Sequence, residues 1–157
     1  MGCCGNTSLD ARRSEVRRLL SNVTSWAGRQ ANVDGLVLVG SYARAQERLD
    51  SDVDIVVLLS DISAYPAISS QLHEIRDGSR LVRSATWGPV REQRYRLRSG
   101  LIVEFGVAPA SWADVPLDPG TRRVLSDGHD ILFDPKGLLT RAHDAVAPHP
   151  TRNLRDG

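Results

Sequence analysis

Val37-Leu38-Val39-Gly40-Ser41-Tyr42-Ala43-Arg44 closes one apolar run on a Gly-Ser turn, and Asp52-Val53-Asp54-Ile55-Val56-Val57-Leu58-Leu59 opens a second run on two carboxylates. Residues two apart on a strand share a face, so Asp52 and Asp54 project together while Val53 and Ile55 turn to the opposite layer. Two like charges about 4 Å apart repel by about 4 kcal/mol at an effective dielectric near 20. A cation is expected there to offset the repulsion, and divalent metal ions holding a triphosphate are the economical answer.

Working outward, both runs are apolar on both faces and read as central strands of a sheet. Upstream, Leu9, Val16, Leu19, Leu20, Val23 and Trp26 recur at helical spacing, which predicts an amphipathic helix over 8–29 with Ser8 or Asp10 at its start. Ser41 to Glu47 suits a short helix, and Ala67 to Arg76 a longer one ended by Asp77-Gly78. Arg80 to Thr86 reads as a strand. Glu92–Arg98 and Leu101–Ala108 alternate with period two about Ser99-Gly100, the pattern of a hairpin. Beyond it come turns, a short apolar run Ile131-Leu132-Phe133, and a helix over 137–146. The expectation is one α/β (α+β) domain over 8–147, with a mixed central sheet flanked by helices. Residues 1–7 read as a disordered leader and 148–157 as a disordered tail.

The hairpin supplies a third acid. Leu101, Val103, Phe105 and Val107 form one face of its second strand, and Ile102, Glu104 and Gly106 the other. An ionised carboxylate among apolar residues is unfavourable unless paired or metal-bound. If that strand lies beside 53–59, Asp52, Asp54 and Glu104 converge. Hard oxygen ligands of this kind suit Mg²⁺, which completes its shell with waters and phosphate oxygens. A glycine at a strand end admits a phosphate close to the backbone. Ser41, at the start of the expected short helix, is placed to bind it, and Arg44 lies one turn further on. Each element has a plainer explanation: Gly-Ser is a common turn, Asp-x-Asp a common strand start, and a hairpin Glu is often salt-bridged to an Arg. All three in this order, each embedded in apolar residues, favour the site.

The run Val39-Gly40-Ser41, then Asp52-Val53-Asp54-Ile55, then Val103-Glu104-Phe105 resembles the DNA polymerase β-type nucleotidyltransferase superfamily. Gly40-Ser41-Tyr42-Ala43-Arg44 with Ser51-Asp52-Val53-Asp54 is similar to small stand-alone bacterial members. The resemblance implies a polymerase β-like fold and metal binding by Asp52, Asp54 and Glu104, with Mg²⁺ expected and Mn²⁺ an alternative. It further implies that Glu104 helps deprotonate an acceptor hydroxyl and that Gly40 and Ser41 hold the triphosphate. The expected reaction moves a nucleoside monophosphate, AMP foremost, from an NTP such as ATP to a hydroxyl with release of pyrophosphate. The competing reading is an antitoxin-like minimal nucleotidyltransferase that neutralises a toxin partner. Two departures stand out. Ala45 replaces a glycine found in many relatives, a change that suits a helix there. The chain also lacks room for the helical domain of antibiotic-modifying members, so either a homodimer or a separate partner would complete the cleft, or the acceptor is a macromolecule.

The remaining features bound the reading. A net charge of +1 argues against general coating of nucleic acid. Lys136 is the only lysine. The arginine excess reads as compositional, and the adjacent Cys3 and Cys4 form neither a disulfide framework nor a metal-site spacing. No apolar stretch is long enough for a signal peptide or membrane span, so a cytoplasmic protein is expected. Arg94, Arg96 and Arg98 share a strand face that either meets a phosphate-bearing acceptor or is simply a solvated edge. Trp26 is expected in the core, Trp87 and Trp112 in the core or stacked on a base. The four histidines receive no role, and Asp61 is expected to cap a loop.

Overall fold

The computed structural model describes residues 7–75 and 80–146. The cysteines, the expected leader apart from Thr7, the expected tail, and the Asp77-Gly78 helix stop lie outside them. Helix α1 spans Leu9–Gly28, and the Ser8 hydroxyl accepts from the Ala11 N–H at its start. Strands β1 (Val33–Val39) and β2 (Val53–Leu59) follow, then α2 (Tyr65–Ile75). Next come β3 (Arg80–Trp87), β4 (Val90–Arg96) and β5 (Ile102–Pro109). The chain then forms α3 (Pro119–Ser126), β6 (His129–Phe133) and α4 (Leu138–Val146).

The six strands form one sheet in the order β3-β4-β5-β2-β1-β6. Only β2 and β5 run parallel; every other neighbouring pair is antiparallel. The sheet is therefore mixed, as expected. Its register sets Asp54 opposite Glu104, and Glu104 opposite Arg94 on the far side.

The two faces are covered unequally. Val16, Leu19, Val23 and Trp26 of α1, with Ile68 and Leu72 of α2, pack on Leu36, Leu38, Ile55, Val57, Val103 and Phe105. On the other face, Leu125 of α3, Leu139 and Ala142 of α4, and Trp112 pack on Val37, Val56, Leu58 and Ala108. Gly35 admits α4: a Cβ there would lie 2.8 Å from a Leu139 methyl. The second layer thus covers the end of the sheet near Leu58 and Ala108. The carboxylate end stays open.

Two expectations are corrected. Residues 41–47 form no helix but a single turn, in which the Ala43 and Arg44 N–H groups donate to Gly40 O. Ala45 ends it at φ +57°, a left-handed conformation costly for a residue with a Cβ. Asp118-Pro119-Gly120, read as a turn, instead opens α3, with Pro119 in the first turn and the Asp118 carboxylate accepting from Gly120 N–H. Asp-Pro is a helix-start signal as much as a turn signal.

Candidate active site

The site is built at the ends of three strands. Asp52 immediately precedes β2, Asp54 lies on it, and Glu104 lies beside it on β5. One carboxylate oxygen from each lies within 4.8 Å of the others. Residues 52 and 104 keep 31% and 14% of their side-chain surface exposed, so the cluster is reachable yet largely desolvated.

Burial, and then the hydrogen bond and charge of Glu104, push Asp54 up to about 8, with Asp52 adding to the effect and Arg94 opposing it. Three carboxylates this close cannot all remain ionised without a compensating cation. Arg94 partly fills that role. Its Nε donates to Glu104 Oε2 at 2.6 Å, and its Nη2 lies 3.2 Å from Asp52 Oδ2 and also against Glu104. Arg83 sits next to it, with Nη2 2.9 Å from Glu92 and 3.6 Å from Glu104. Hard oxygen donors gathered at this spacing, with one proton and two arginines holding them together, fit a divalent hard cation.

The Gly-Ser turn meets this cluster directly. Gly40 has φ +81°, and a Cβ on it would collide with Asp54 Oδ2. Only glycine lets β1 end here and bring Ser41 beside the acids. An ion pair secures the segment from outside: Arg13 of α1 donates from Nε to Glu47 Oε2 at 2.7 Å. Arg44 takes a different course. Its stem lies over Gly128 and its Nε donates to Gln46 Oε1 at 3.2 Å, on the β6 side of the turn.

Residues 19–94, nearly half of the chain, match the family model of the nucleotidyltransferase domain. That span carries Gly40-Ser41, Asp52-x-Asp54 and Arg94. Over those residues the chain is similar to a nucleotidyltransferase domain. Its fold is similar to that of a cytoplasmic RNA terminal U-transferase, with 19% identity and a TM-score of 0.48 over 62% of this chain and 29% of that one. It is also similar to the Cid1 poly(U) polymerase, with 18% identity and a TM-score of 0.45 over 62% and 31%. A nucleotidyltransferase-like protein from Exiguobacterium sibiricum aligns at 18% identity and a TM-score of 0.44 over 83% and 37%. The chain thus spans about three tenths of the first two proteins. Comparison of the sequence with curated proteins returns no match.

Elsewhere in the chain the structure sorts the remaining candidates. The arginine face breaks up, because Arg94 is held by the carboxylates and β4 ends at Arg96, leaving Arg98 in the turn. Asp61 accepts from Ser63 N–H and caps a short 3₁₀ turn, as expected. Trp26 is core, with its indole N–H donating to Gln71. Trp112 is buried, whereas Trp87 is 61% exposed. His129 and His143, far apart in sequence, meet at 3.0 Å between ring nitrogens on β6 and α4. The role of Arg94 was hidden in the sequence by the arginines around it. Only the register opposite Glu104 singles it out.

Proposed function

We propose that this domain transfers a nucleoside monophosphate from a nucleoside triphosphate, ATP in the first instance, to a hydroxyl acceptor with release of pyrophosphate. The reading rests on one observation: Asp52, Asp54 and Glu104 converge from two strands beside Gly40-Ser41. Asp52 and Asp54, with Glu104, would hold Mg²⁺, or Mn²⁺ in its place. When bound, the ion supplies positive charge against the phosphate oxygens and acidifies a coordinated hydroxyl.

The chain's own residues orient the rest. Gly40 and Ser41 receive the triphosphate tail at the end of β1, and Arg44 flanks the same turn. Glu104 takes the proton of the attacking hydroxyl. The acceptor oxygen bonds to the α-phosphorus, the bond from that phosphorus to the α–β bridging oxygen breaks, and the electron pair leaves with pyrophosphate. Arg94 and Arg83 keep compensating charge beside the acids throughout. Nucleoside triphosphates and Mg²⁺ are plentiful in the cytoplasm, the compartment that suits this chemistry. Among the described residues no helix is long and apolar enough to cross a membrane.

The test incubates the purified protein with each of four α-labelled NTPs, Mg²⁺ or Mn²⁺, and a cell extract. Labelled product and free pyrophosphate are expected, greatest with ATP and abolished in Asp52→Asn/Asp54→Asn. Equal label transfer by that double variant would sink the proposal.

A further inference from the structure

Past Glu104 the open face of the sheet is bare. Gly106 forms its floor, and a Cβ there would sit 3.1 Å from Val90 Cγ1. Trp87, Val90, Trp112 and Val124 wall a cavity of about 350 Å³ that also touches Asp54, Glu92 and Glu104. The same four residues border a second space of about 440 Å³ that continues to Asp118 at the start of α3. The indole N–H of the exposed Trp87 donates to Glu92 at 3.3 Å, which fixes the ring along the wall.

Charge separates the candidate occupants. The lining holds Glu92 and Asp118 and, among the described residues, no cation. Arg83, at the mouth, is shared between Glu92 and Glu104, and Arg94 between Asp52 and Glu104. A polyanion entering here would meet carboxylates and indoles, and among the described residues the lining offers it no guanidinium. Geometry fixes which substrate enters. In an in-line displacement the leaving and attacking oxygens lie on opposite sides of the phosphorus. With pyrophosphate at Gly40-Ser41 beside β1, the acceptor approaches from the β5–β4 side, where this cleft lies.

We propose that the cleft is the acceptor subsite, and that the acceptor is an uncharged, hydroxyl-bearing small molecule whose flat apolar body packs against Trp87 and Trp112. This assignment rests on the nucleotidyl-transfer reading. It excludes the end of a nucleic acid and a phosphate-bearing acceptor.

Two probes test it with the whole chain in Mg²⁺: 2-(2-naphthyl)ethanol, followed by saturation-transfer NMR, and a fluorescent twelve-residue oligoadenylate with a free 3′-hydroxyl, followed by anisotropy. Binding of mant-ATP is measured in parallel. The naphthyl alcohol is expected to bind, to weaken at least tenfold in Trp87→Ala and to recover in Trp87→Phe, with mant-ATP binding unchanged in both. Failure of the alcohol to bind, equal binding by Trp87→Ala, or tighter binding of the oligoadenylate overturns the proposal. Mant-ATP binding that survives Asp52→Asn/Asp54→Asn overturns the nucleotidyl-transfer reading instead, and the acceptor assignment falls with it even if the cleft takes the alcohol.

Discussion

Asp54 carries the electrostatic tension of this protein in one side chain. Its pKa in the folded protein, about 8, lies above the ordinary 3.8, so between those values the native state binds a proton that the unfolded chain lacks. Asp54's contribution to stability therefore falls as pH rises through that window, is fully present below about pH 4, and is lost above about pH 8. In Asp54→Asn, which mimics the protonated acid, urea unfolding of the metal-free protein is expected to lose this slope. The variant should exceed wild type by a few kcal/mol at pH 8; parallel pH profiles would refute the assignment. Ala45 is a second local cost, held left-handed at φ +57°. Ala45→Gly should gain about 0.5–1 kcal/mol, because relief of the left-handed strain exceeds glycine's extra unfolded-state entropy. A melting temperature about 1–4 °C higher would show it. The first cost was legible in the same-face spacing of Asp52 and Asp54; the second was not. Alanine's helical propensity pointed to a helix at 41–47, but the turn is closed by its link to β1 and by the Arg13–Glu47 pair.

At the scale of elements, the end of β1 is the critical junction. A strand apolar on both faces must stop where the acids begin, and Gly40 makes that stop by turning to positive φ with no Cβ against Asp54. Gly40→Ala is expected to keep the circular-dichroism spectrum, lose about 1–3 kcal/mol of stability, and weaken mant-ATP binding at least tenfold. Unchanged nucleotide binding would show that the turn is a mere connector. This junction was readable in advance because its cues are local: period-two alternation, a glycine at a strand end, and same-face spacing of Asp52 and Asp54. The pairing of β2 with β5 was readable only as a condition, since parallel partners far apart in sequence leave no local mark. Helix α3 was missed for a related reason. Its apolar face is short, and Asp118-Pro119-Gly120 serves a turn or a helix start equally until Leu125 finds Trp112 and Leu139 to pack on.

Across the described residues, two layers of helix brace a sheet whose exposed corner gathers Asp52, Asp54, Glu92 and Glu104 around Arg83 and Arg94. The corner carries more negative charge than the two arginines offset, so it could hold a cation from solution. Binding to the native state alone stabilises it by about 2.7 kcal/mol at a hundredfold excess over Kd. For a domain of this size that is about 5–10 °C in melting temperature. Mg²⁺ is expected to produce such a rise in wild type and none in Asp52→Asn/Asp54→Asn. Arg94 makes the prediction sharper, because its guanidinium bridges two of the same carboxylates and an arriving ion must compete with it. Arg94→Ala should therefore lower the melting temperature in chelator, since the acids lose their internal counter-ion. The same variant should show a larger rise on adding Mg²⁺ than wild type does. Equal rises in both proteins would mean that the ion sits clear of Arg94, whereas no rise in either would mean that the two arginines alone, not a metal, are what the carboxylate corner was built to hold.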